Sequence, residues 1–597
     1  MRYLYPYFRT YWKLFFVALL FLTFETLCDL LQPTLMARII DEGVANKELP
    51  IVFRIGMFML LVTAAGAVAA TVRSIVASHV SQRFGAELRS NLFRHIQSLS
   101  FQSIDKFDRA SLVTRLTNDV TQIQNFVNGL MRIFVKAPLI CIGSLIMAVR
   151  LNPPLSVVLA VVVPLVSILI VMNMRIGFPL FAKVQQALDR VNGASREYLS
   201  GVRVVKAFNR FDYETDKFGS VNGEYRDQST KAMRLMAVFG PGIMLTVNFG
   251  IAAVIWIGGV RVDQGHMQVG HIIAFINYMT QILFSLMMIS NVFTMYVRAK
   301  ASSDRIGEVF SETDRNIGTE KTRSEADAEN ASLAGRSRTE LVFSERDRGR
   351  IDFENVVFSY EGAGGDPVLK NVTFSCLPGE TVGIIGSTGS GKSTLVSLIP
   401  RFYDAVSGTV RVNGADARSF EPRALRERIA VVPQKAVLFS GTVAENIRWG
   451  KEAASNEEIV LAAKLAQAHE FIASFPEGYD TFLGQGGVNL SGGQKQRMSI
   501  ARALVRGPDI LILDDCTSAV DVATEARIMA GLRGYSSGLT CLVIAQRITS
   551  VMDADRIVVL DDGAIAGMGK HDELLRQCRT YREIYRSQAG KEAAGHA

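Results

Sequence analysis

The chain has 597 residues, 49% of them hydrophobic, with 65 Lys and Arg against 57 Asp and Glu. It is too long for one hydrophobic core, and its positive mean hydropathy is unusual for a soluble protein. The net charge of +8 does not point to nucleic acid: no basic stripe with interleaved aromatics occurs, and cytoplasmic loops of membrane proteins carry excess Lys and Arg.

Apolar residues crowd the first 300 positions and charge dominates from about Asp304 onward, so a membrane half followed by a soluble half is expected. The N-terminus, MRYLYPYFRTYWKLFFVALLFL, is basic and then apolar. Its apolar stretch outruns a signal peptide and no small-residue cleavage site follows. Tyr3 to Trp12 read as an interfacial aromatic segment before a first span. Six stretches are long and apolar enough to cross a bilayer, about 14–36, 55–79, 129–149, 154–175, 236–260 and 270–297.

The connections after spans 2 and 4 are long. They carry Arg83, Arg89, Arg94, Lys106, Arg109 and Arg115 in one, and Lys183, Arg190, Arg196, Arg203, Lys206 and Arg210 in the other. The positive-inside rule puts both, and the N-terminus, in the cytoplasm. An even number of spans then leaves the C-terminal half there too. The expected location is the cell membrane, a bacterial inner or plasma membrane, with several passes.

Apolar residues recur at three- and four-residue spacing through both long connections, which predicts helices continuing into the cytoplasm. Turns near Phe107–Ser111 and Phe208–Tyr213 are expected to touch a nucleotide-binding domain. Glu25 and Asp29 lie one turn apart in the first span and share a face. They either attract a cationic substrate or pack as a polar pair within the bundle, and the packed pair is favoured. Met279, Phe284, Met287 and Met288 form a candidate lining for an apolar pocket, although such stripes are more often plain packing.

The predicted domains are a transmembrane domain over 1–312, a charged linker over 313–350 and an α/β domain over 351–597. The six cysteines (Cys28, Cys141, Cys376, Cys516, Cys541, Cys578) form no CxxC pair and lack His at zinc spacing, which argues against structural disulfides and a metal centre of that kind.

Within the last domain, Gly386-Ser387-Thr388-Gly389-Ser390-Gly391-Lys392-Ser393, followed by Thr394, has the P-loop pattern. It follows the apolar strand TVGII and opens a helix, the context that pattern requires. Its backbone N–H groups would close around phosphate oxygens. Lys392 would reach the β- and γ-phosphates of ATP, and Ser393 would ligate Mg²⁺. Farther on, Ile510-Leu-Ile-Leu-Asp514-Asp515 reads as a buried Walker B strand delivering carboxylates to Mg²⁺ and the attacking water.

Between these motifs stands Leu490-Ser491-Gly492-Gly493-Gln494, followed by KQRMSIARAL. With it the chain resembles the ABC transporter family over essentially its whole length. The layout of spans is similar to the type I (type IV) exporters. The resemblance implies an all-α six-helix transmembrane domain with long cytoplasmic extensions, fused to an α/β P-loop nucleotide-binding domain. It further implies that Tyr360 stacks on adenine, that Gln434 is the Q-loop residue near Mg²⁺, and that Asp514 is a Mg²⁺ ligand. Ser518-Ala-Val-Asp521 is similar to the D-loop. Two such domains would pair head to tail, each ATP lying between one P-loop and the partner's signature.

Three departures from the family pattern matter. The second Walker B acid, normally Glu, is Asp515, and the switch residue, normally His, is Gln546. A carboxylate one methylene shorter should miss the water by roughly an ångström, a displacement that can cost on the order of 100-fold. A Gln cannot carry the charge of an imidazolium. The segment before the signature, usually similar to TEVGERG, reads Thr481-Phe-Leu-Gly-Gln485-Gly-Gly.

Together these departures imply the degenerate half of a heterodimeric exporter working by alternating access, and the apolar candidates with a few acids in the spans point to amphipathic small molecules, drug or lipid, as its substrates. A second half-transporter would supply the intact Glu and His, and hydrolysis would occur mainly at the site built on that partner's Walker motifs. A catalytically competent homodimer is the competing reading. A peptide exporter, a metal-chelate importer with the exporter fold, or an ATP-gated channel or regulatory subunit are the alternative functions.

Overall fold

The computed structural model describes residues 2–312, 347–360, 366–535 and 538–595. Most of the expected linker, 313–346, lies outside the described residues. The chain divides into two compact units, one comprising 1–98 and 107–312, the other 99–106 and 313–597.

Among its described residues the first unit has helices joined by short turns and no strand. Its long helices are α1 (Tyr5–Arg38, extended by a π-helical turn Ile39–Val44), α2 (Leu49–Ser98), α4 (Arg109–Leu151, with two π-helical stretches), α5 (Ser156–Ala207), α6 (Phe211–Asp263) and α7 (Val269–Ser311). All six are long and apolar enough to cross a membrane. Helix is the form that satisfies every backbone group without water. With 50 residues or more, α2, α5 and α6 reach about 75–80 Å, more than twice a hydrocarbon thickness of roughly 30 Å. They therefore continue well beyond the bilayer, as the periodicity predicts. Phe16, Leu20, Phe24, Leu27 and Leu31 of α1 are exposed, a face suited to lipid or to another subunit.

The packed centre gathers Leu159, Val162, Val254, Phe275, Tyr278 and Met279. Tyr278 is fully buried, and its hydroxyl donates to Leu30 O at 2.8 Å. Where α7 begins, Asp41 Oδ1 accepts from Gly270 N at 2.6 Å. A Cβ at Gly270 would lie 2.4 Å from Ala37 O, so only glycine permits this approach. On the cytoplasmic side, buried Asp119 accepts from Ser302 Oγ at 2.9 Å and pairs with Arg305, while Arg115 pairs with Glu308 at 2.9 Å.

The second unit contains a mixed sheet and an antiparallel sheet. The antiparallel sheet has the order β2 (Leu369–Cys376), β1 (Ile351–Phe358), β4 (Ser407–Val412), β5 (Ala415–Asp416). The larger sheet has the order β12 (Ala564–Gly569), β11 (Arg556–Asp561), β3 (Thr381–Gly386), β10 (Thr540–Ile544), β9 (Ile510–Asp514), β6 (Ile429–Val432). Its β11, β3, β10, β9 and β6 run parallel. The near-continuous apolar run of β9 suits a strand buried on both faces. The C-terminal edge of such a sheet is where ligands bind, and β3 and β9 deliver the P-loop and the two aspartates to that edge.

The short helix α3 (Phe101–Asp105) belongs to this unit. Phe101 packs on Phe402 with ring centroids 4.6 Å apart, and Tyr403 Oη donates to Asp105 at 2.6 Å. The contact expected near Phe107–Ser111 thus falls one turn earlier, on the aromatic residue that opens α3. The turn at 208–210 is exposed, Phe208 included. All six cysteines are free; five are buried and Cys141 is half-buried.

Candidate active site

The P-loop leaves β3 and turns into α8 (Lys392–Ser397) through Gly389 and Gly391, which adopt φ of 86° and 92°. A Cβ at Gly391 would come within 3.0 Å of Val368 O, so this turn requires glycine. Thr388, Gly389, Gly391, Lys392, Ser393 and Thr394 line a cleft of about 250 Å³, closed opposite by Gln434, Asp514, Asp515 and Gln546. Ser390 is buried, its N–H donating to Ser387 O at 3.2 Å, and Gly386 ends the strand beneath.

Lys392 Nζ donates to Gly386 O and Ser387 O at 2.9 and 2.7 Å. Burial pushes its ammonium below the usual lysine range, against the pull of Asp515 and Asp514. Ser393 Oγ donates to Asp514 Oδ1 at 2.9 Å. Burial holds Asp514 above the ordinary carboxylate range, although this hydrogen bond acts the other way. A hydroxyl and a carboxylate at this spacing are hard oxygen donors of the kind Mg²⁺ takes, so the residues fit that ion. Gln434 leaves Oε1 as a further acceptor beside them.

Asp515 is buried, with φ of 45°, a left-handed conformation that aspartate tolerates better than most residues. Its Oδ2 accepts from Gln434 Nε2 at 3.0 Å and from Gln546 Nε2 at 2.8 Å. Two neutral amides therefore converge on one carboxylate oxygen and fix the side chain's orientation, while Oδ1 accepts from no group among the described residues.

Tyr360 Oη hydrogen-bonds Thr394 Oγ1 at 3.0 Å, and its ring meets Tyr403 edge-on. The aromatic therefore stands against the helix that opens from the P-loop. Ser491 caps α9 (Gly492–Leu504) in a reciprocal capping box with Gln494, and its own side chain is exposed. None of Ser491, Gly492, Gly493 and Gln494 lines the cleft. This exposed helix N-terminus has the geometry of an anion site. Asp521 Oδ1 caps α10 (Val522–Tyr535) by accepting from Thr524 N at 2.9 Å, which lowers its carboxyl below the usual range. In the departure segment, β8 (Phe482–Leu483) pairs with β7 (Gly441–Thr442), and Gly486 and Gly487 have positive φ.

Sequence reading missed Gln496, which is buried and whose Oε1 accepts from Ala519 N at 3.0 Å, tying the signature helix to the D-loop. Its place two residues after the signature was the available signal. It also missed what neutralises the membrane acids. Glu25 is buried and accepts from Arg73 Nε and Lys136 Nζ, each at 2.6 Å, and Lys136 also pairs with Asp29 at 3.0 Å. The packed polar pair is thus a four-member ion cluster joining α1, α2 and α4. Of the apolar stripe, Met279 is buried in the core while Phe284 and Met287 are exposed, so the four residues form no single lining.

Residues 15–287 match the ABC transporter transmembrane region family and residues 369–518 the ABC transporter family. The chain is 42% identical over 578 residues to the uncharacterized ABC transporter ATP-binding protein YfiB of Bacillus subtilis, covering 97% of each. It is 34% identical to the putative multidrug export ATP-binding/permease protein YgaD of the same organism, again covering 97% of each. A solved bacterial Atm1-family ABC exporter with ATP bound superposes with a TM-score of 0.77 at 25% identity, over 97% of this chain and 98% of that one. The protein is accordingly a multi-pass membrane protein with a cytoplasmic nucleotide-binding domain and an ATP-hydrolysing transporter fold. The chain belongs to the ABC transporter family, as an exporter that carries its transmembrane region and ATP-binding domain in one polypeptide.

Proposed function

We propose that this chain is the degenerate half of a heterodimeric exporter of amphipathic small molecules. The observation that carries the reading is the clamp on Asp515, whose carboxylate is short, held on one oxygen by hydrogen bonds from two amides, and without an imidazole beside it. In this reading the P-loop, with Lys392 and Ser393, binds ATP in a site that fires slowly. Ser393, Asp514 and Gln434 would hold Mg²⁺, which supplies charge neutralisation at the phosphates. Tyr360 would stack on adenine. Ser491, Gly492 and Gly493 would complete the other site, whose Walker acid and switch His belong to a second half-transporter. ATP stabilises the closed pair of domains, and this differential affinity turns the cavity outward.

Two further observations support the substrate class. The Glu25 carboxylate is matched by Arg73 and Lys136, so the membrane acids offer no uncompensated attraction for cations, and a relative carries a multidrug export name.

The test is ATPase and dye efflux in proteoliposomes holding this chain alone or with its complementary half. The pair should turn over, the chain alone should not, and replacing the partner's Walker B Glu by Gln should abolish turnover. Asp515→Asn should leave most of it. Vigorous hydrolysis by this chain alone that vanishes in Asp515→Asn would refute the assignment.

A further inference from the structure

Between α5 and α6 runs a groove of about 740 Å³. Four cations line it: Arg175 and Lys183 from α5, Lys231 and Arg234 from α6. All four are exposed, and none forms an ion pair among the described residues. No acidic residue lines the groove. Of the nearest carboxylates along these helices, Asp227 pairs with Arg226 at 2.9 Å and is also attracted by Lys231 one turn away, Glu224 pairs with Arg190 at 2.8 Å, and Asp189 accepts from Gln185 at 3.1 Å. Ile176, Leu180 and Leu235 give the groove an apolar bed.

Its depth is set by the helices. From Ser156, where α5 begins, to Arg175 is about 28 Å of helix rise, close to the hydrocarbon thickness. Arg175 and Arg234 are the charged residues that end the apolar runs of their two spans on the cytoplasmic side. The groove therefore opens at the inner headgroup layer, with Lys183 and Lys231 about one to two turns farther into the cytoplasm.

We propose that this groove is a binding site for an anionic phospholipid of the cytoplasmic leaflet. The phosphate would be held by the four cations and an acyl chain would lie on Ile176, Leu180 and Leu235. Basic pockets between membrane helices on the cytoplasmic side recognise such headgroups, and each cation contributes roughly fivefold in affinity. The positive-inside rule explains why cations occur here, but not why four converge on one apolar groove without a carboxylate. A zwitterionic lipid gains less, because its choline meets the same cations.

Native mass spectrometry of the full chain in detergent, titrated with phosphatidylglycerol or phosphatidylcholine, tests this. Phosphatidylglycerol should bind at least roughly tenfold tighter, and millimolar inorganic phosphate should not displace it. The variant Arg175→Gln/Lys183→Gln/Lys231→Gln/Arg234→Gln should lose that preference while still binding ATP. The pair Lys183→Gln/Lys231→Gln, at exposed helix positions, should lie between and decides the matter if the fourfold variant does not fold. Equal binding of the two lipids, or selectivity unchanged in either variant, overturns the proposal. Displacement by phosphate does so too, by making the groove a free-anion site.

Discussion

Replacing Glu25 by Gln strands Arg73. The two side chains are 8% and 9% exposed, Glu25 Oε2 accepts from Arg73 Nε at 2.6 Å, and Arg73 Nη1 is buried with no partner among the described residues. Lys136 differs, because it keeps Asp29 at 3.0 Å. Leaving one member of a buried ion pair uncompensated costs about 3–5 kcal/mol, whereas replacing both members by groups of similar shape is often neutral. Glu25→Gln should therefore cost about 3–5 kcal/mol, and Arg73→Met less, since Glu25 retains Lys136. The double variant should return to within about 1 kcal/mol of the parent, a coupling of at least ~2 kcal/mol. Unfolding of the full chain in mixed micelles, titrated with SDS and followed by circular dichroism, measures each corner of the cycle. A double variant as unstable as the two single variants added together would refute the argument that Arg73 is held by Glu25.

At the nucleotide site, Gly391→Ala forces a Cβ to within 3.0 Å of Val368 O at φ of 92°. The resulting strain of about 1–3 kcal/mol should weaken fluorescent-nucleotide binding by about fivefold or more. Because burial raises Asp514 above the usual carboxylate range, a proton competes with Mg²⁺ there at higher pH than at a surface aspartate. Mg²⁺-dependent nucleotide binding should hold constant above that raised value and fall about tenfold per pH unit below it. Protonation of a group whose folded pKa is raised favours the folded state, so the loss is of ligand rather than structure; Asp514→Asn should bind weakly with a flat profile. Gly270→Ala, whose Cβ would meet Ala37 O at 2.4 Å, should lower the melting temperature measurably, and a change under 1 °C would count against the close contact of α1 and α7. Gln496→Ala leaves Ala519 N unpaired, costing about 1–3 kcal/mol, and should slow ATPase of the assembled transporter with little change in nucleotide affinity.

Local chemistry was legible in the sequence wherever one contiguous segment does one job. The P-loop must place several N–H groups around phosphate, so Gly386 to Ser393 announce themselves, and the four apolar residues before Asp514 announce a buried strand. Contacts between distant segments were not legible. Arg73 and Lys136 lie 48 and 111 positions from Glu25, and nothing in helical periodicity says which turn of one span faces which turn of another. The same holds for Asp105 and Tyr403, 298 positions apart, so the docking turn was placed too late by about one turn. The amide clamp on Asp515 follows from three motifs read separately. Their convergence on a single oxygen is a property of the fold.

The burial of the cysteines has a practical consequence. Alkylation requires a thiolate that a reagent can reach. Burial pushes the Cys541 thiol up to about 12, and raises Cys376 and Cys516 as well. Among the native thiols only Cys141 is even half-accessible. A spin label or fluorophore on a single introduced surface cysteine should therefore report distances in the working transporter without stripping the natural ones, provided Cys141 is replaced by serine.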